Sequence, residues 1–412
     1  MINRKLLLCI LMFLIMILLI SFINQPLINP TNNSIINTKK STIEGMINIE
    51  STGKPVWHVS DCPMIEVQKA VIEESMSVNS YSESPQPEFY IPCGYNLINN
   101  EIHKLPKTEN GRYFIIDGAD EIAAKNLLWS NLILHHGLAK AKILSPESFV
   151  FSKPDDIERL KQTYKKGNIY IMKKNIQRQQ GLHITDNINK LLNDNKGYIM
   201  AQELLQDPYT ILGRKINLRV YVLVVCKKTE IDVYVYDDGF MYYTPEKFKK
   251  GSTEDKYNIT TGYVDRWIYD VHPLTHTDFK KYLDSDRKDS TQIEKNIKNQ
   301  GFLISDIIFN RINKLIADVF ICFKGHICRS GTKLHNNITY QLFGADVSIN
   351  DQLNAQIIEI NKGPDLGAKD ERDGQIKKNL MKDVYKILGG LQNNGTQFTQ
   401  VLEIKNDVVL FH

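Results

Sequence analysis

The sequence predicts a mixed α/β (α+β) body behind a hydrophobic N-terminal segment, and three patterns carry that prediction. Residues 6–23 form an unbroken apolar run whose one small polar residue is Ser21. Ile231, Val233 and Val235 alternate with Asp232 and Tyr234, the period-2 signature of half-buried antiparallel strands. Ile304, Ile308, Ile312, Leu315, Ile316, Val319 and Phe320 recur at helical spacing, with Asp306, Arg311, Lys314 and Asp318 opposite, so this helix buries one face in a core. The bulk numbers agree. The 412 residues are 42% hydrophobic and 24% charged, ordinary globular proportions, with room for two or three domains. A net charge of +4 is too small for the basic stripe of a nucleic-acid binder, so no nucleic-acid partner is expected. Six cysteines without CxxC spacing support neither a zinc module nor a dense disulfide scaffold, and Cys226 reads as a strand residue in the core.

From the N-terminus onward, each element has a local reason. As a helix, residues 6–23 would reach about 27 Å, close to the ~30 Å hydrocarbon core of a bilayer. A secretory leader has a shorter apolar core of ~7–15 residues and a small-residue cleavage pattern. Here the run passes into Asn24, Gln25 and Pro26 without one. Residues 1–23 are therefore expected as an uncleaved, single-pass membrane anchor. Arg4 and Lys5 precede the run and no charge comes after it before Lys39, so the positive-inside rule sends the body across the membrane. The side of the membrane on which the body lies stays open. Residues 24–85 are rich in Asn, Ser, Thr and Pro and read as a stalk or linker, with a short helix after Pro63. Strands are expected at 113–116, 169–172, 198–201, 218–225, 231–236, 340–349 and 355–360. Helices are expected from Asp120, at 155–164 after Pro154, at 304–323, and at 375–388 before Gly389. Residues 284–300 read as a surface loop or frayed helix.

The chemistry concentrates late in the chain. Phe343, Gly344 and Asp346 lie on one strand, and Glu359, Asn361 and Pro364 on or after the next. Glu359 and Asn361 are two apart, so period-2 geometry puts both on one strand face and leaves Ile358 and Ile360 on the other. Asp346, on the preceding strand of the expected hairpin, can meet them. Two carboxylates and an amide oxygen suit a hard cation such as Mg²⁺, whose remaining positions phosphates and water fill. Lysines recur where phosphate would need them. Lys173 ends a strand, Lys215 and Arg219 are four apart on another, and Lys125 lies on the exposed side of the helix expected from Asp120. Singly, each reads as a solvated charge. Together with the acids they form the basic half of a nucleotide-phosphate site.

Taken in order, these residues resemble the tubulin–tyrosine ligase-like family, which has the ATP-grasp fold. The resemblance runs from Lys125 to Pro364. It comprises Lys125-Asn126-Leu127-Leu128, Met172-Lys173-Lys174 with the loop Arg178-Gln179-Gln180-Gly181, Gln202-Glu203-Leu204-Leu205, Arg214-Lys215-Ile216-Asn217-Leu218-Arg219, the Phe343 to Asp346 stretch, and the Glu359 to Pro364 stretch. It implies an N-terminal subdomain over 86–150, a central one over 151–205, a C-terminal one over 206–390 and a tail over 391–412. It also implies an ATP-dependent carboxylate–amine ligase, in which ATP phosphorylates a peptide carboxylate and an amine attacks the acyl phosphate. By the same resemblance, Lys125 and Lys173 contact phosphates, and the backbone of Gln202, Glu203, Leu204 and Leu205 holds adenine. Lys215 and Arg219 serve catalysis, and Asp346, Glu359 and Asn361 hold Mg²⁺. The partners implied are a free amino acid and a peptide or protein acceptor.

The sequence departs from the family pattern on the acceptor side. Asn217 stands where the family has Asp, Tyr242 where it has Arg, and the glycine loop is shortened. Tubulin tails are therefore the less favoured acceptor. The alternative to a ligase is a catalytically silent, membrane-tethered nucleotide-binding module on the same scaffold.

Overall fold

Alternation sets the frame: residues 214–243 fold as two 14-residue strands side by side, and the rest of the large sheet is added to their edges. The computed structural model describes residues 56–59, 77–78, 88–91, 108, 111–175, 181–260, 265–329, 334, 337–391 and 393–412. The expected anchor, the expected helix after Pro63 and the loop residues Arg178, Gln179 and Gln180 lie outside the described residues. No helix among the described residues is long and apolar enough to cross a membrane.

In chain order the strands are β1 (Val56–Val59), β2 (Ser77–Val78), β3 (Glu88–Ile91), β4 (Gly111–Phe114), β5 (Ser148–Val150), β6 (Tyr170–Lys173), β7 (Leu182–Thr185), β8 (Met200–Glu203), β9 (Thr210–Ile211), β10 (Arg214–Lys227), β11 (Glu230–Tyr243), β12 (Ile338–Ile349), β13 (Ala355–Asn361), β14 (Phe398–Lys405) and β15 (Val408–Phe411). The helices are α1 (Ala119–Ala123), α2 (Lys125–Leu144), α3 (Pro154–Thr163), α4 (Ile188–Asn193), α5 (Asp255–Asn258), α6 (His276–Asp284), α7 (Gln292–Asn299), α8 (Ile304–Phe320) and α9 (Glu371–Ile387).

The large sheet has the order β15-β14-β11-β10-β12-β4-β3-β1-β2, with β13 also on β12 and β9 also on β10. β4, β3, β1 and β2 run parallel to one another, β4 also pairs in parallel with β12, and the remaining pairs are antiparallel. Both faces are covered, as the two-sided burial of β10 requires. Ile216, Leu218, Val220, Val222 and Val224 join α2 and α8 in one core, while Tyr221, Leu223 and Val225 join Leu380, Met381, Val384 and Tyr385 of α9 in another. The odd-numbered face of β10 is thus apolar under α9 and becomes Arg219, Asn217 and Lys215 toward the start of the strand. That switch places charge in the cleft. The small sheet, β5-β8-β6-β7, is antiparallel throughout. Tyr170 and Met172 pack toward α3, leaving Ile171 and Lys173 on the cleft side.

Several expectations change. Residues 56–59 and 77–78, read as stalk, are strands of the large sheet, and residues 398–411, read as tail, form β14 and β15 on its opposite edge. The stretch 284–300 contains a true helix. Thr291 and Glu294 cap α7 reciprocally, as Thr275 and Asp278 cap α6. The helix expected from Asp120 breaks at Ala124, whose extended backbone restarts it as α2. Cys226 is a buried strand residue of the core as expected, and in addition it forms a disulfide with Cys328, 102 residues away.

Candidate active site

A cavity of about 660 Å³ lies along the switch in β10, lined by both sheets. Register builds its inner wall. Arg219 pairs with Asp346 across β10 and β12, and Asp346 pairs with Glu359 across β12 and β13, so three charged side chains stand in a row. Arg219 donates to Asp346 through Nε at 2.7 Å and through its second nitrogen at 3.2 Å, a bidentate fork. Gly344 makes room for it. A Cβ there would sit 3.1 Å from both Arg219 Cδ and Pro364 Cβ, tighter than side chains normally pack. Two residues on from Glu359, Asn361 donates Nδ2 to the Gly344 carbonyl at 3.4 Å, so its side chain lies beside the acids with its oxygen as an acceptor.

A β-bulge separates the Asp346–Glu359 pair from the Val347–Ile357 pair, leaving Ile358 as the extra residue. Strict alternation would put Ile358 on the face opposite Glu359. The bulge instead turns it into the cavity, while Ile360 stays buried in the core. The Ile358 carbonyl accepts from Lys173 Nζ at 3.5 Å.

The cations come from three elements. Lys173, last residue of β6, is buried and donates to Gln202 Oε1 at 2.7 Å. Gln202 in turn donates to Ser148 Oγ at 3.1 Å, so Gln202 positions the lysine. Lys125 does not occupy the exposed helix face expected of it; it reaches Glu359 Oε2 at 3.7 Å with its side chain 14% exposed. It sits at the first position of α2, where the restart after Ala124 aims it back at the sheet. Lys215 is buried beside Asn217 in the cavity wall, and among the described residues no acid forms an ion pair with it. Burial pushes Lys173 down to about 8, with Glu359 pulling it up and Lys125 adding to the fall. Burial, reinforced by Lys173, pushes Lys215 down to about 8 as well.

The acids respond to the same field. Burial raises the Asp346 carboxyl against the pull of Arg219, and the neighbouring Glu359 charge raises it further. For Glu359, burial is outweighed by Lys125, Lys173 and Arg219, and its carboxyl titrates below the ordinary range. Two adjacent carboxylates whose titrations are driven apart are a pair that a cation would relieve. The donor set fits a divalent ion: two carboxylates, whose oxygens keep lone pairs beyond those Arg219 uses, and one amide oxygen.

An apolar slot adjoins this cluster, walled by Ile171 and Leu182 from the small sheet, Leu204 just after β8, and Ile358 from the large sheet. Glu203 and Leu205 also line the cavity. Several backbone groups between Gln202 and Leu205, the stretch expected to hold a base, are already engaged within the fold. The Glu203 amide donates to Glu147 O, the Leu204 amide to Ile169 O, and the Leu204 carbonyl accepts from Gln206. Among the described residues, the Leu205 amide makes no backbone hydrogen bond and is the donor this stretch has left.

Toward the outer end, Asn217 donates to Thr260 Oγ1 at 2.7 Å and leaves its own oxygen buried without a partner. The Arg219 guanidinium lies 5.2 Å from the centre of the Tyr242 ring. Sequence reasoning missed the charged groups beyond it: Arg266, Lys369, Asp373 and Lys377. A signal for two of them was present. Asp373 and Lys377 fall on the helical stripe Leu380, Met381 and Val384, where a charged pair is unexpected.

A sequence profile described as the Tubulin-tyrosine ligase family matches residues 113–394, more than half of the chain. Similar curated proteins include a probable tubulin polyglutamylase TTLL9 of Bos taurus, 29% identical over 195 residues that are 46% of this chain and 38% of that protein. The tubulin polyglutamylase TTLL7 of Homo sapiens is 21% identical over 78% of this chain and 37% of its own length. The tubulin glycylase 3B of Drosophila melanogaster is 23% identical over 62% of this chain and 34% of its own. The chain thus spans under two fifths of the length of these relatives. It belongs to the tubulin–tyrosine ligase family.

Proposed function

We propose that the protein is an ATP-dependent ligase of ATP-grasp architecture that joins an amino acid to a carboxylate of a peptide or protein, through an acyl phosphate. The observation that carries this reading is the row Arg219, Asp346 and Glu359, with Asn361 beside it, facing two buried lysines across one cavity. Mg²⁺, held by Asp346, Glu359 and Asn361, would neutralise charge on the transferring phosphoryl group. Lys173, Lys215 and Lys125 would hold the phosphates, and the slot at Ile171, Leu204 and Ile358 would take the base. Arg219, fixed by both Asp346 oxygens, keeps its charge and stays in place beside the reacting groups. The relatives carry names that specify tubulin. For this chain we favour another carboxylate-bearing protein, because Tyr242 stands at the acceptor side and the cations beyond it are already paired. Residues 6–23 would hold the enzyme in a membrane as a single-pass protein.

The second reading, a silent nucleotide-binding module, draws on Asn217 and Tyr242. One assay separates the two. The purified protein is incubated with ATP, Mg²⁺, mixed amino acids and a proteome-derived peptide library, and products are read by mass spectrometry. The expected result is a mass increase of one or more amino-acid residues that depends on ATP. ATP binding without any adduct or ATP turnover would favour the silent module.

A further inference from the structure

We infer that the body of this protein faces the oxidising, extracytosolic side of its membrane and carries an N-linked glycan on Asn394. Three independent observations meet here. The first is covalent. Cys226, at the end of β10, is bonded to Cys328 after α8, tying the central strand to the helical layer. Such bonds persist in secretory compartments and are rare in the cytosol.

The second comes from sorting the acceptor triplets. Asn-x-Ser/Thr occurs at Asn32, Asn258, Asn337 and Asn394. Asn32 lies outside the described residues. Asn258 is buried, and its amide donates to Ser252 O at 2.8 Å and Glu254 O at 3.0 Å. Asn337 is buried too, with its amide on Thr108 O. A glycan on either would be incompatible with this fold. Asn394 is different. It is exposed in the turn between α9 and β14, and among the described residues its side chain makes no hydrogen bond. Gly395 beside it has φ 108°, a conformation that favours glycine, and Lys386 Nζ donates to its carbonyl at 3.2 Å. The acceptor amide is thus presented outward on a pinned turn, as a surface-loop glycosylation site requires.

The third is the charge across the apolar segment. Arg4 and Lys5 lie before residues 6–23, and the opposite flank is uncharged up to Lys39. That asymmetry keeps the N-terminus cytosolic and sends the body across.

Both modifications balance chemically. An oligosaccharide on a polyprenyl-pyrophosphate donor moves to Asn394: its C1–O bond to pyrophosphate breaks, the C1–Nδ2 bond forms, and the amide releases one proton. Cys226 and Cys328 lose two protons and two electrons to a disulfide-bearing thiol oxidoreductase of that compartment, which is reduced to its dithiol.

The inference rests on the anchor proposed above and not on the ligase activity. The test uses the full chain, with an Asn32→Gln change to silence the stalk triplet, expressed in eukaryotic cells and recovered in sealed vesicles. The expected result is a body protected from added protease, and a mobility shift removed by peptide-N-glycosidase. Asn394→Gln and, separately, Thr396→Ala should abolish that shift. Cys226 and Cys328 should take up maleimide only after reduction. A body digested in intact vesicles would overturn the inference while leaving the anchor standing. A protected body unmodified at Asn394 would overturn the glycan site. Loss of the chain from the membrane fraction would overturn the anchor itself, and the inference with it.

Discussion

The two ends of the cleft contain the same kinds of charge arranged in opposite ways. At the outer end, among the described residues, the cations lining the cavity each have an acid: Arg266 with Asp370, Lys369 with Asp365 at 2.9 Å, and Lys377 with Asp373 at 2.7 Å. At the inner end Lys173 leans on an amide oxygen, Lys215 forms no ion pair among the described residues, and burial pushes both down to about 8. A paired cation is part of the architecture. A buried cation without an acid in contact is held against its own solvation, a state that persists when an anion is to arrive. The difference supports the phosphate role proposed for the inner end. It also explains why the outer end, despite its lysines, offers little unclaimed positive charge to an acidic peptide.

The largest test of that contrast is removal of an inner acid. Glu359→Gln keeps the shape but takes away one of the two carboxylates. Turnover should fall by about 10²–10³-fold, as for loss of one transition-state electrostatic group. The check is ATP-dependent incorporation of labelled amino acid, scaled to folded protein. A normal rate in this variant would remove the cation site from the mechanism.

Lysines at the two ends should then separate binding from stability. Lys215→Met should weaken ATP binding by roughly 10–100-fold, the worth of a charge-assisted contact. The same change should stabilise the unliganded protein. A lysine brought from 10.5 to about 8 opposes folding by on the order of 3 kcal/mol below pH 8, and this penalty fades as pH rises from about 8 to 10.5. Lys377→Met should do the reverse. It strands Asp373 in a buried pair, costing about 3–5 kcal/mol of stability, with ATP affinity unchanged. Calorimetry and nucleotide titration on both variants decide the matter; Lys215→Met that melts lower while binding ATP normally would invert the assignment.

The inner end was the more legible one, for reasons of period. Glu359 and Asn361 share a face because strands repeat every two residues, and Lys215 and Arg219 share one for the same reason. What alternation cannot report is an inserted residue. The bulge at Ile358 shifts a side chain without changing composition, so the cavity-facing position of Ile358 was unreadable. A second register shift hid β14: Val401 and Leu402 are adjacent and both buried, which spoils the alternation from Phe398 to Lys405. The Cys226–Cys328 bond joins residues with no sequence relation at all. At the outer end, the charges on α9 carry little signal of their own, because helical charges usually face solvent. Only the stripe position of Asp373 and Lys377 distinguished them.

A steric change should sharpen the contrast more gently. Gly344→Ala pushes Arg219 and Pro364 apart by a few tenths of an ångström. Misplacing a fixed group this slightly should lower turnover about tenfold, with ATP affinity within about twofold. Gly367→Ala, at the outer end, meets only the Asp365 Oδ1 atom at 3.2 Å, the far end of an exposed side chain. It should leave turnover near normal. Equal losses in the two variants would mean that the inner geometry carries no special demand.

The smallest effect expected is a proton count. Lys173 and Lys215, each near 8 when the cleft is free, are about half protonated at pH 8 and mostly protonated at pH 7. A bound phosphate favours the charged form, so it raises both values, and ATP binding at pH 8 must take up about half a proton per lysine. Affinity should therefore fall by about twofold per lysine between pH 7 and pH 8. Titration calorimetry in buffers of different ionisation enthalpy reads this uptake directly. Lys215→Met should remove about half of it, because one of the two titrating groups is gone. Lys369→Ala, at the outer end, should leave it unchanged, since that lysine pairs with Asp365 and does not meet the phosphates. Proton release on binding, or uptake that survives Lys173→Met combined with Lys215→Met, would show that the inner lysines are not the groups that receive the nucleotide.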